Sequence, residues 1–529
     1  MAKESTFLPH KAFINSVYSK NNLNITKTAE IVAKHMKLTY NDNFRRKLSK
    51  FISSNLDDRS ESTTLIEHGE HFKMAMTNKL KKSKYYLITC AQNATPVNEE
   101  FLKNMEAYAA FLEAEIIVIP LRYKNPTSVF TDKKVDKWDE SITKYLHARR
   151  EHIHPKLVLL GDVKVQPTSS NPLQAKELMS SLNSCIVGHP RVHLRSVPRL
   201  KTYDPKVMIT TGTCTYANYT DSNSGKVGEA HHTYGFVLVE IKDENIFYMR
   251  NVTSTEEGEF TDLYFTVRNG KVSKNKKIST IVLGDLHLGK HDDAVINTIE
   301  EKLIKVLKPD YTIIHDIVDM YSVRKHDIKN PVKEYLAHKY QTNLIEKELQ
   351  EVFNFCDKWK KYGLVVVRSN HDEHLDQYIV GQDWRKDPVN ALTYNKFLQV
   401  LLEEKAPKGL LPYILEERYG KEITTLGVDD SFRVLGWELG FHGHLGTNGA
   451  KGSNTTFRKL STKIIKNHDH TVFREDGCLS SGTCTKYEMG YNKGLTTWLH
   501  GATIVHTDGK AQQIILIENN FTTLWTKTT

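Results

Sequence analysis

The chain has 529 residues, of which 39% are hydrophobic and 26% charged, with a formal net charge of +10. That length exceeds a single core and implies about three domains at roughly 100–200 residues each, with the composition of a globular protein. No stretch reaches the ~18 apolar residues that span a bilayer, so no membrane partner is expected, and the charged N-terminus (Lys3, Glu4, Lys11) lacks the apolar segment of a signal peptide.

The charge is uneven: residues 1–82 hold 15 Lys/Arg against 8 Asp/Glu, a basic end that suits a polyanion. Three short helices are predicted there. Pro9 opens the first, with Ala12, Phe13, Val17 and Tyr18 following. Asn24 offers a cap to the second, which carries Ala29, Ile31, Val32 and Met36. Asn41 offers a cap to the third, Asp42 to Ser53. In that helix Phe44, Leu48 and Phe51 share one face, and Arg45, Arg46, Lys47 and Lys50 occupy the rest. The arrangement resembles a helix-turn-helix whose last helix sets its cations on DNA phosphates. Residues 57–82 read as a polar connection.

From residue 83 an α/β series opens, with strands at Tyr85–Ile88, Ile116–Leu121, Leu157–Leu160 and Val207–Ile209 and a helix at Val97–Leu112. Inside it lies a repeat signal. Thr210-Thr211-Gly212-Thr213-Cys214-Thr215 parallels Ser480-Ser481-Gly482-Thr483-Cys484-Thr485, and strands follow both. Tyr85–Thr89 matches Ser279–Leu283, which sets Cys90-Ala91-Gln92-Asn93 opposite Gly284-Asp285-Leu286-His287. Residues 83–272 therefore read as a degenerate copy that has lost its ligands and serves oligomerisation or substrate binding. Its Gly188-His189 and His231-His232 read as structural.

The third segment, 273–529, repeats one device five times: an apolar run ending in polar side chains. Strand ends deliver Asp285 and His287, then His315-Asp316-Ile317-Val318-Asp319, then Asn370-His371-Asp372, then His442-Gly443-His444, then His468-Asp469-His470. A long insertion between Asn370 and His442 is predicted to hold helices at Val389–Glu404 and Leu410–Tyr419, then paired strands around Leu426 and Val434. Such an insertion reads as a cap that selects substrate, and Tyr321, Arg324, Lys325 and Trp384 are candidates for contacts to phosphate and base. His291, His326 and His374 read as solvated loop residues. The carboxylates, amide and imidazoles suit Mn, Fe or Zn better than calcium, and at least seven ligands provide for two ions rather than one. The six cysteines lack C-x-x-C spacing, as reduced cytoplasmic thiols would.

In order and spacing these motifs resemble the calcineurin-like metallophosphoesterases: D-x-H, G-D-x-x-D, G-N-H-D/E, H-G-H, G-H-x-H. The resemblance implies a β-sandwich flanked by helices over 273–529, preceded by the degenerate α/β domain and the small helical one. It implies one ion on Asp285, His287, Asp316 and His470, and a second on Asp316, Asn370, His442 and His468. Manganese is expected in both sites, with Mg, Fe or Zn as alternatives. It also implies that His371 protonates the leaving oxygen and that Asp372 orients His371. Three glycines of the pattern are replaced, by His315, Ser369 and Asn467, which bears on loop geometry. Met320 and Tyr321 stand where protein phosphatases continue differently.

Phosphodiester hydrolysis on DNA is the expected activity, because the basic helices and the extra domain favour that substrate. The resemblance in kind extends to repair nucleases and to the large phosphoesterases of tailed phages, including an early DNase acting on host DNA in the host cytoplasm. A phosphatase or small-molecule phosphodiesterase, and a DNA-binding regulator with a vestigial site, are the other readings. A homo-oligomer is compatible with either.

Overall fold

The computed structural model describes residues 6–20, 25–55, 70–124, 137–324, 330–490 and 492–524. Asn24, Lys325, His326 and residues 57–69 of the connection lie outside them. The chain forms two compact units, Met1–His68 and Gly69–Thr529. Residues 83–272 and 273–529 thus fall in one unit, not in two domains.

In the first unit a turn at Leu8–His10 leads into α1 (Lys11–Lys20), then α2 (Ile25–His35) and α3 (Asp42–Asn55). Ile14, Ala29, Val32, Phe44, Leu48 and Phe51 form their common core. Asn41 caps α3, its Oδ1 accepting from Phe44 N at 2.8 Å. Asp42 pairs with Arg45 at 3.2 Å and lies 3.9 Å from Arg46. Arg46, Lys47 and Lys50 are exposed.

The second unit opens with α4 (Glu70–Thr77), a helix inside what the sequence presents as a connection; Phe72 and Ala75 anchor it in the core. Its first half then contains β1 (Tyr85–Gln92), α5 (Glu99–Leu112), β2 (Glu115–Leu121), β3 (Arg150–His154), β4 (Leu157–Leu160), β5 (Ser184–Val187), β6 (Leu194–Ser196), β7 (Val207–Thr210), β8 (Gly235–Ile241) and β9 (Phe247–Thr253). A small antiparallel sheet of β10 (Phe260–Asp262), β11 (Phe265–Arg268) and β12 (Lys271–Lys274) follows. The second half contains β13 (Thr280–Leu283), β14 (Tyr311–His315), β15 (Leu364–Val367), β16 (Thr424–Leu426), β17 (Arg433–Val434), β18 (Trp437–Glu438), β19 (Lys463–Lys466), β20 (Val472–Glu475), β21 (Cys478–Ser481), β22 (His500–Val505) and β23 (Ala511–Leu516).

The two halves are topological copies. One four-stranded sheet has the order β2-β1-β8-β9, and the matching six-stranded sheet has β16-β15-β14-β13-β22-β23. Where strands correspond, their pairing has the same sense: β1 is parallel to β2 and antiparallel to β8, as β13 is to β14 and β22. The remaining five strands of each half join in one ten-stranded sheet, β17-β18-β19-β21-β20-β6-β7-β5-β4-β3. Its centre is the antiparallel pair β6–β20, with Leu194 opposite Arg474 and Arg195 opposite Phe473. The order therefore reads the same outward from the centre in both directions, a pseudo-two-fold arrangement. Among the described residues, strands corresponding to β15 and β16 occur in the second half alone.

Both smaller sheets pack on the ten-stranded one. Strand β1 is buried throughout because its faces meet different layers: Tyr86, Ile88 and Cys90 turn toward Ile186 and Ile209, whereas Tyr85, Leu87 and Ala91 face the helices. Val282, Ile313 and Val365 do the same against Ile465 and Leu479 in the second half. Sandwich layers with helices outside follow from that alternation. The strands around Leu426 and Val434 do not pair with each other. β16 extends the six-stranded sheet beside β15, and β17 pairs with β18 in the ten-stranded sheet.

The repeat register is shifted by one residue from the sequence match. Cys90 bridges Thr213 as Asp285 bridges Thr483, and Cys214 N and Cys484 N donate to the Cys90 and Asp285 carbonyls at 2.9 and 2.8 Å. Cys90 thus stands for Asp285, and Gln92 for His287.

A buried ion network ties the halves together. Arg250 contacts Glu240 and donates to Asp262 from Nε at 2.6 Å and Nη2 at 2.8 Å; Tyr108 and Gln512 also donate to Asp262. Removing the arginine leaves two buried carboxylates without their cation, so Arg250→Ala is expected to cost about 3–5 kcal/mol of stability by urea unfolding. Burial alone would raise the Asp262 carboxyl, yet Arg250 holds it below the usual range. Its contribution is therefore full above about pH 4 and fades as the pH falls further, and the variant is expected to lose that acid sensitivity.

Candidate metal centre

The strand ends of the second half converge on one buried cluster. The loop after β13 runs beside the loop after β14, with Leu286 N and His287 N donating to the His315 and Asp316 carbonyls at 3.2 and 2.6 Å. The loops after β18 and β19 are tied likewise, Asn467 N donating to His442 O at 2.9 Å. Gly443 sits at φ +109°, a backbone that suits glycine alone, and a Cβ there would lie 2.7 Å from Lys466.

All seven candidate ligands are brought together. His287 Nε2 lies 3.3 Å from Asp316 Oδ2 and 3.2 Å from His470 Nε2, and His470 Nε2 lies 3.3 Å from Asp285 Oδ2. His442 Nε2 is 3.3 Å from Asp316 Oδ2 and 3.0 Å from Asn370 Oδ1, which is 3.1 Å from His468 Nδ1. Two triads have donor atoms within 4.8 Å of one another, His287–Asp316–His371 and Asp285–Asp316–His442. They apportion the donors differently from the two quartets of the resemblance, yet both divisions leave Asp316 in the middle.

Backbone strain collects here. His287, Asp316, His468 and His470 hold φ of 48°, 44°, 79° and 55°, a left-handed region that non-glycine residues rarely adopt. The three positions where glycine is replaced are not strained in that way. Ser369 N donates to Asp372 Oδ2 at 2.9 Å, and Asn467 spans two strands, donating to Leu283 O at 2.7 Å and accepting from Ser481 N at 3.0 Å.

The electrostatics fit cations. Burial, then the neighbouring Asp316, pushes the Asp285 carboxyl well above its ordinary value. Burial acts the same way on Asp316, but His442, His287 and His371 hold it well below. Burial disfavours charge on His287, yet Asp316 and Asp319 raise it to about 10. Burial keeps His442 and His470 low and brings His468 to about 4, so these imidazoles present lone pairs. Among the described residues, the buried atoms Asp285 Oδ1, Asp316 Oδ1, His442 Nδ1 and His470 Nδ1 have no hydrogen-bond partner. Crowded carboxylates, neutral imidazoles and orphaned donor atoms form a set that divalent ions would satisfy.

Two residues beside the cluster differ from expectation. His371 turns its Nδ1 to Asp319, 3.1 Å from the carbonyl and 3.3 Å from Oδ1, so Asp319 and not Asp372 orients it. Asp319 also takes His287 Nδ1 at 3.1 Å and Arg324 Nη1 at 3.3 Å. The signal for Asp319 was its place three residues after Asp316. His374 is on the helix Glu373–Gly381, edge-on to His371 at 5.2 Å, and is not a solvated loop residue. His291 pairs with Asp293 at 3.1 Å. Among the described residues no helix is long and apolar enough to cross a membrane.

No family model matches the chain, and no solved structure matches it. It is similar to a phage protein. Protein A1 of Escherichia phage T5 is 28% identical over 456 residues, 82% of this chain and 81% of that protein. A match of that extent cannot be confined to either half of the repeat.

Proposed function

We propose that the chain is a phage nuclease that hydrolyses DNA phosphodiester bonds with two divalent ions, manganese by preference, in the host cytoplasm. The observation that carries this reading is the set of seven donors around Asp316 with four orphaned buried atoms. Two ions held there would lower the pKa of an attacking water and clamp the oxygens of an in-line displacement. His371, its Nδ1 engaged by Asp319, presents Nε2 to hold a proton for the leaving oxygen. DNA is favoured as substrate by the cationic face of α3, and the phage setting by the similarity to Protein A1.

The test is plasmid cleavage with Mn, Mg or chelator. Metal-dependent loss of supercoiled DNA is expected; intact plasmid with turnover of a small phosphodiester would replace the nuclease reading by the phosphodiesterase one. For the helical unit, Arg46→Glu with Lys47→Glu is expected to weaken duplex binding. It should also flatten the dependence of log K on log salt by about 0.9 per lost phosphate contact, read by anisotropy. An unchanged slope would remove α3 from the interface.

A further inference from the structure

A second site lies where the two halves meet. A cavity of about 360 Å³ is lined by Arg191, His231, Trp437, Lys463, Arg474 and Lys510, with Glu256 and Asp476 its carboxylates. Trp437 and Lys463 begin β18 and β19, whereas the metal ligands follow the ends of those strands, so the cavity is on the opposite edge of the ten-stranded sheet.

Its charge is unbalanced. Asp476 is already spent on Arg191 at 2.9 Å, Arg458 at 2.7 Å and His193 at 3.2 Å. The Arg191 side chain is only 5% exposed, and among the described residues its buried Nη2 has no hydrogen-bond partner. Among the described residues the Arg474 guanidinium donates to the Ala511 carbonyl alone, at 3.1 Å. Among the described residues Lys463, Arg474 and Lys510 form no ion pair. Burial, then repulsion by Lys510 and Arg474, lowers the Lys463 ammonium, and burial brings the Arg474 guanidinium down to about 10. Lys463 does lie over the Trp437 ring at 5.6 Å, but cations gathered around a concavity with few carboxylates to balance them are what an anion would relieve. The pseudo-two-fold adds a second reason. Arg191 is the fourth residue after β5, as His470 is the fourth after β19. The degenerate half presents a guanidinium where the other presents a metal ligand.

We propose that this cavity binds an anionic phosphate ester, the monoester of a mononucleotide or a diester of the DNA backbone, held by Arg191, Lys463, Arg474 and Lys510 without metal. The proposal does not rest on the nuclease reading. It is tested on the full chain by calorimetric titration at low salt in excess chelator, with inorganic phosphate, dAMP and, as a control, deoxyadenosine. Phosphate and dAMP should bind, equally in an Asp316→Asn background, and deoxyadenosine should not. Lys463→Glu with Lys510→Glu is expected to weaken dAMP by at least about tenfold. The milder Lys463→Gln with Lys510→Gln should move the same way, guarding against a folding defect. Displacement of dAMP by a short duplex identifies the DNA backbone as ligand, and lack of displacement identifies the free nucleotide. No binding of dAMP to wild type, or binding unaffected by both double variants, would overturn the proposal.

Discussion

Asp316→Asn is expected to abolish both metal sites together and to reduce phosphodiester hydrolysis by about 10³-fold or more. Asp316 belongs to both donor triads, and its Oδ2 lies 3.3 Å from both His287 Nε2 and His442 Nε2. Losing a shared ligand forfeits several kcal/mol of charge stabilisation in the transition state, and each 1.36 kcal/mol is tenfold in rate. Asparagine keeps the shape and tolerates the φ of 44° at this position, so the effect isolates the charge. Metal content after dialysis against Mn is the direct measurement. His470→Ala, at the edge of the cluster, is expected to lose one ion and retain the other. Two ions retained by Asp316→Asn would refute the shared-ligand geometry.

The degenerate half shows which features such a centre needs. It keeps the strand framework and the threonine pair that closes the hexapeptide turn, with Thr213–Thr215 and Thr483–Thr485 hydroxyls 3.1 and 2.9 Å apart. Among the described residues it has no counterpart of β15 and β16, and so none of the segment that carries Asn370 and His371. Gln92, in the place of His287, is buried with both polar atoms of its amide unpartnered. This half meets the other through β6–β20 and through Gln512, which donates to Asp262 of the Arg250 network.

The repeat was legible from two six-residue strings because the threonine, glycine and cysteine positions in them each meet a specific neighbour. Its register was not, because an apolar strand buried on both faces carries no mark along its length, and only the bridges to Thr213 and Thr483 set it. The seven donors share a related mark, an apolar run before each motif; these runs form buried strands before Asp285, Asp316, Asn370 and His468, whereas Leu439-Gly440-Phe441 before His442 lies beyond β18. Asp372 was misjudged since adjacency in sequence does not imply facing; its carboxylate turns back to cap its own loop at Ser369. Leu426 and Val434 were paired by proximity along the chain, whereas each found a different sheet.

His371→Ala is expected to keep both ions and lose about 10²–10⁴-fold in turnover, the usual share of a general acid. The separation from the Asp316 result is the point: its ring is held through Nδ1 by Asp319, leaving Nε2 for the substrate. Asp319→Asn then becomes informative, because that carboxylate also receives His287 Nδ1 and Arg324. As a positioning residue acting through two imidazoles, it should cost about 10–100-fold, with weaker metal retention and a displaced alkaline limb in the pH–rate profile, the limb a general acid sets. Asp372→Asn should leave that limb in place. If His371→Ala turned over an activated aryl phosphodiester as slowly as it does DNA, its proton would not be going to the leaving group, since a good leaving oxygen needs none. Near-normal rates on the aryl ester with a large defect on DNA are the expected pair.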